Sequence, residues 1–209
     1  LSTFAPTRVL VPQDAWDLAD PVFAEPLQRA RDALASLLQT EPQTLRVAGD
    51  SPLAEWRQTY ATAGAFEGWA THGAWITEHQ PVFGAAIGAR WKAASAVTGE
   101  AAAAARAQAA KVRQLVRALL GSDGVAVLPS AASLAPRRDA DPAAVDAVRL
   151  RTMAITCIAG LAGLPQVSLP LTLPDGTVLG VSLLGPAGSD LALIRLAVQL
   201  QGTLNGQNR

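Results

Sequence analysis

Apolar residues recur along this chain with two different periods, and the changes of period mark its elements. Arg8-Val9-Leu10-Val11-Pro12 is short, β-branched and closed by proline, which predicts a strand feeding a loop. Asp20 is then placed to cap a helix that opens on Pro21, with Pro26 in its first turn or at a kink. Leu27, Ala30, Leu34 and Leu38 follow at helical spacing on one face. Thr44 to Ala48 offers a second strand, so residues 8 to 48 read as a β-α-β unit with a parallel pair.

Between residues 52 and 120 no segment has strand character. The sequence is helix-compatible and punctuated at Gly64, Gly73, Pro81, Gly84, Gly88 and Gly99, which predicts a helical layer whose last member ends at Gly121. Gly124 to Pro129 is a nearly unbroken apolar run, the signature of a strand buried on both faces. Asp141-Pro142 starts a helix to about Leu161. Gln166 to Pro170 and Thr177 to Leu184 are strands joined by Leu173-Pro174-Asp175-Gly176, whose turn chemistry makes them antiparallel neighbours. A closing helix from about Ser189 to Gln201 shows Leu191, Ile194 and Val198 on one face, and 202–209 reads as a flexible tail. The expected class is α/β, a mixed and largely parallel sheet flanked by helices. The expected domain is single, 1–209, with 52–120 as a helical layer within it.

Composition narrows the function. Half of the residues are hydrophobic and 16% are charged, which excludes a disordered chain. Seventeen basic residues balance seventeen acidic ones, so no long-range field favours nucleic acid or an anionic membrane. No stretch reaches the eighteen apolar residues of a membrane span. The single cysteine, Cys157, and the absence of a secretory pattern at the start lead to a cytoplasmic expectation. The only methionine is Met153 and the sequence opens on Leu1, so the chain is expected to be part of something longer.

Candidate chemistry is sparse. His72 and His79 lack the carboxylate partners of a metal site, and no glycine-rich phosphate loop is present, so neither metal nor cofactor is expected. Ser130 follows a buried strand, as an exposed nucleophile would, yet Leu128 stands where a nucleophile elbow needs a small residue. Ser133 is the neighbouring alternative. Cys157 sits among Ile155, Ile158 and Leu161, as a small hydrophobe does. Trp56, Tyr60, Phe66, Trp69, His72 and Trp75 crowd a chain that is only 5% aromatic; such a cluster either fills core or lines a pocket.

The last third resembles a known family. Gly124-Val125-Ala126-Val127-Leu128-Pro129, then Gly163-Leu164-Pro165-Gln166-Val167-Ser168-Leu169-Pro170, then Gly180-Val181-Ser182-Leu183-Leu184-Gly185, in that order, resemble the end of an amidase signature enzyme. Glu67 to Ile76 resembles the helical stretch of the branch that includes indole-3-acetamide hydrolases. The resemblance implies the C-terminal half of the amidase signature fold. It also implies covalent cleavage of a small amide by a Ser–cis-Ser–Lys triad, with backbone N–H groups holding the oxyanion.

No two serines are adjacent here, and Lys92 and Lys111 do not match the catalytic lysine, so no catalytic residue is expected in this chain. The implied partners are an N-terminal half and a small-molecule amide, with a homodimer as a further possibility. By position, Thr156, Ile158, Ala159 and Gly160 are expected to face substrate, with Trp69 and its neighbours opposite. Gly160 replaces the family's usual asparagine, which implies a roomier or differently polar pocket. The competing reading is a non-catalytic binding or scaffold module that kept the half-fold.

Overall fold

The computed structural model describes residues 4–206. In chain order the elements are strand β1 (Arg8–Pro12), helices α1 (Gln13–Trp16) and α2 (Ala24–Leu38), strand β2 (Gln43–Leu45), and helices α3 (Leu53–His79), α4 (Ala85–Ser95) and α5 (Gly99–Leu120). Strand β3 (Gly124–Pro129), helix α6 (Pro142–Ala162), strands β4 (Gln166–Thr172) and β5 (Val178–Leu184), and helix α7 (Asp190–Gly206) complete it. The sheet order is β2-β1-β3-β5-β4. β1 runs parallel to β2 and β3, while β5 is antiparallel to both β3 and β4. Four of the five strands therefore point one way, and the expected mixed, largely parallel sheet is what forms.

Alternation along the central strands builds two cores. Val9, Val125, Val127, Val181 and Leu183 face α2 and α7, where Leu27, Leu34, Leu193 and Leu200 close over them. Leu10, Ala126, Leu128 and Leu184 face the other way, against Val112 and Val116 of α5, Ile158 and Leu161 of α6, and Trp56 of α3. β3 is buried at every position because both layers cover it.

Several local expectations are corrected. Asp20 does not cap a helix: a short 3-10 turn, Pro21–Phe23, intervenes before α2, and no side-chain capping bond forms. Asp20 instead accepts from Arg151 Nη1 at 2.8 Å. Ser133 and Arg151 hold its carboxyl below the usual carboxylate range. β2 stops at Leu45 because the N–H groups of Val47 and Ala48 donate to the buried Asp14 carboxylate, at 3.0 and 2.9 Å, instead of to a neighbouring strand.

Gly64 and Gly73 do not punctuate α3, which runs unbroken through both. A Cβ on Gly73 would lie 2.6 Å from the Trp69 ring, so this glycine makes room for an indole laid along its own helix. The face named on the last helix is the exposed one. Leu191, Ile194 and Val198 lie toward solvent while Leu193, Leu196, Leu200 and Leu204 enter the core. That second stripe carries the helix through residues 202–206, read above as tail; residues 207–209 lie outside the described residues.

Gly88 likewise lies inside α4 and does not interrupt it. Other termini and turns form where expected. Gly121 is the C-cap of α5 at φ +57°, and Asp141 caps α6 by accepting from Ala144 N at 3.0 Å. The β4–β5 connection closes with Gly176 N donating to Leu173 O, at φ +83° for the glycine.

Candidate functional site

α3, α4, α5 and α6 stand together on one face of the sheet and line between them a broadly open cavity of about 1050 Å³. Its floor is where α6 meets α3. Gly160 has no side chain there, and the Tyr60 ring occupies the space: a Cβ at Gly160 would meet Tyr60 Cε2 at 2.8 Å. Trp91 of α4 forms one wall, packed over Gly68 of α3, which presents bare backbone to it. Ile87, Val97 and Met153 add apolar surface, and five arginines from all four helices stand around it.

The structure separates the five residues expected at a pocket. Gly160 lines the cavity. Ile158, two residues earlier on α6, points the opposite way and is fully buried under the sheet, because a helix turns about 200° over two residues. Ala159 packs against that same core from its edge. Thr156 is exposed, with its hydroxyl donating to Thr152 O at 3.1 Å along its own helix. Trp69 lies on the α4 side of α3, with its ring centroid 6.4 Å from that of Trp91.

The aromatic segment divides in the same manner. Trp56 is core, Tyr60 faces Gly160, and Phe66 lies under the guanidinium of Arg106 at 5.3 Å. His72 packs edge-on against Trp91 and His79 stacks on Trp75, so the two histidines serve ring packing. The sequence reading missed Trp91 and the arginines. Trp91 carried a signal, a single indole in an alanine-rich helix, whereas the arginines are scattered over ninety residues and converge only in space.

The serines named as alternative nucleophiles have other partners. Ser130 Oγ lies 2.7 Å from Ser182 Oγ, which in turn lies 2.9 Å from Ser168 Oγ, a hydroxyl chain from the end of β3 across the middle of β5 and β4. Gly180 leaves the space it needs, since a Cβ there would lie 2.6 Å from Ser130 Oγ. Ser133 donates to Asp20. Cys157 is buried, and burial pushes its thiol up to about 12, where it is neither nucleophile nor metal ligand at neutral pH.

Comparison with known proteins adds relatives to this geometry. No protein-family model matches the chain. Amidase 1 of Arabidopsis thaliana is 35% identical over 129 residues, 62% of this chain and 30% of that protein. A solved amidase superposes with a TM-score of 0.78 at 20% identity, covering 99% of this chain and 47% of the other. A bacterial aryl acylamidase described as belonging to the amidase signature family gives 0.69 at 16% identity, covering 97% and 46%. The chain thus spans under a third of the curated relative and about half of the solved structures. No helix among the described residues is long and apolar enough to cross a membrane. In fold the chain resembles part of the solved amidases, and in sequence it is similar to part of a curated protein described as an amidase.

Proposed function

We propose that this chain is the C-terminal part of an amidohydrolase that converts a small carboxylic amide and water to the acid and ammonia. In this reading a Ser–cis-Ser–Lys triad on an N-terminal segment does the covalent chemistry, and the chain supplies sheet and pocket wall. The observation that carries it is partial coverage: nearly all of this chain superposes on somewhat under half of two amidases. The likeness to the indole-3-acetamide hydrolase branch and a cytoplasmic location belong to the same proposal.

Two features of the surface suit an absent covering segment better than a self-sufficient binding module. β4 is seven residues long and paired on one side only, an edge that would otherwise invite association. Ile194 and Val198 of α7 stand about half or more exposed beside it, bordering a hollow shared with Leu169 and Leu171. A homodimer would cover the same face, and light scattering of the chain alone distinguishes the two.

The test is ammonia release from a panel of small primary amides. The complete protein is expected to turn over at least one of them, and this chain alone none. Ser130→Ala, Ser133→Ala and Cys157→Ala in the complete protein should leave turnover within a few-fold, since residues outside the reacting unit do not carry its rate. A loss of about a thousandfold in folded Ser130→Ala protein, the scale of a true nucleophile, would overturn the reading.

A further inference from the structure

The cavity among α3, α4, α5 and α6 is electrostatically one-sided. Arg57, Arg90, Arg106, Arg113 and Arg149 line it, against a single carboxylate, Glu67, in a chain whose net charge is zero. Three of these arginines are held by the protein's own atoms. Arg113 Nε donates to Leu161 O at 3.3 Å, Arg149 Nε to Asp146 at 2.8 Å, and Arg106 lies over Phe66. Arg57 and Arg90 make no hydrogen bond or ion pair among the described residues, and Glu67 pairs with none of the five. The remaining wall is apolar, from Tyr60, Ile87, Trp91 and Met153.

Guanidinium groups present paired donors that match the two oxygens of a carboxylate, and they keep their charge at every physiological pH. An inorganic phosphate would use the arginines and leave the aromatic wall empty. A neutral aromatic would use the wall and leave the arginines unpaired. A carboxylate on an aromatic or aliphatic body uses both.

We propose that this cavity binds organic carboxylates, with Arg57 and Arg90 taking the charged end while Tyr60, Ile87 and Trp91 hold the apolar body. Resting on the amide-hydrolase reading, this makes the substrate an amide that carries a carboxylate away from its reacting end. That class differs from the neutral aryl acetamides to which the sequence resemblance alone points.

Binding is measured on the complete protein with 4-phenylbutyrate and its neutral counterpart 4-phenylbutan-1-ol, by calorimetry and by quenching of Trp91 fluorescence. The acid is expected to bind at least tenfold more tightly than the alcohol, with an advantage that shrinks as salt is raised. Arg57→Ala and Arg90→Ala should each weaken the acid by about tenfold, the scale of one charge-assisted hydrogen bond, and leave the alcohol unchanged. Arg138→Ala, outside the cavity, should change neither, and Trp91→Phe should remove the quenching while keeping the calorimetric signal. Equal affinity for the two probes, no binding of either, or indifference to both arginine substitutions overturns the proposal. Failure of the complete protein to hydrolyse any amide would instead remove the enzymatic reading and leave anion binding standing.

Discussion

Replacing Gly160 with alanine sets two opposing quantities against each other at the floor of the cavity. Gly160 lies inside α6, where alanine in place of glycine stabilises a helix by ~0.5–1 kcal/mol. The new Cβ would stand 2.8 Å from Tyr60 Cε2, well inside ordinary carbon contact, so the ring must move outward by roughly an ångström. Overpacking of a fixed neighbour costs about 1–3 kcal/mol, but Tyr60 is 44% exposed and its ring can rotate toward the cavity. The expected result in the natural background is a near-cancellation, within about 1 kcal/mol of zero. In a Tyr60→Ala background the steric cost disappears, and Gly160→Ala should stabilise by the full ~0.5–1 kcal/mol. Urea denaturation of the four proteins in the cycle measures the difference, expected to be about 1 kcal/mol of unfavourable coupling. Equal effects in the two backgrounds, to within ~0.3 kcal/mol, would show that the close approach of Tyr60 to Gly160 is not made in solution.

Other parts of the molecule give independent tests. Asp14→Ala strips the acceptor from two buried N–H groups, so urea unfolding should show a loss of ~2–5 kcal/mol, and hydrogen exchange at Val47 and Ala48 should accelerate most. Less than about 1 kcal/mol would mean that solvent satisfies those amides. Arg8, donating to Asp123 through Nη2 at 2.8 Å and through Nε, together with Thr7, lowers the Asp123 carboxyl to about 2. The folded form therefore binds that proton less readily than the unfolded chain. Its contribution is complete above the unfolded value near 4 and is lost as pH falls from there toward 2. Thermal melts of Asp123→Asn should show a shallower decline across that window than the natural protein; identical slopes would refute the assignment. Cys157 should resist iodoacetamide at pH 8 in the folded protein and react once urea is added, as mass spectrometry would report.

Much of this structure is legible because one residue type at one place leaves the backbone little choice. Gly121, Asp141 and Gly176 each mark a terminus or turn that forms where the sequence puts it, and the run from Gly124 to Pro129 is apolar on both faces because helices cover both. The order of three strand motifs likewise points to the fold that the solved amidases share. Local pattern is silent where two arrangements satisfy the same periodicity. On α7, Leu191-Ile194-Val198 and Leu193-Leu196-Leu200-Leu204 both repeat at helical spacing, and only contact with the sheet and α2 selects the second. Thr156, Ile158, Ala159 and Gly160 fall within five residues of α6, where motif position alone puts them on one surface, yet a helix must send Ile158 and Gly160 to opposite sides. The cavity itself is a product of the tertiary structure. Arg57, Arg90, Arg106, Arg113 and Arg149 are unremarkable charges on four separate helices, and they become one field only when helix packing sets those helices around a common space.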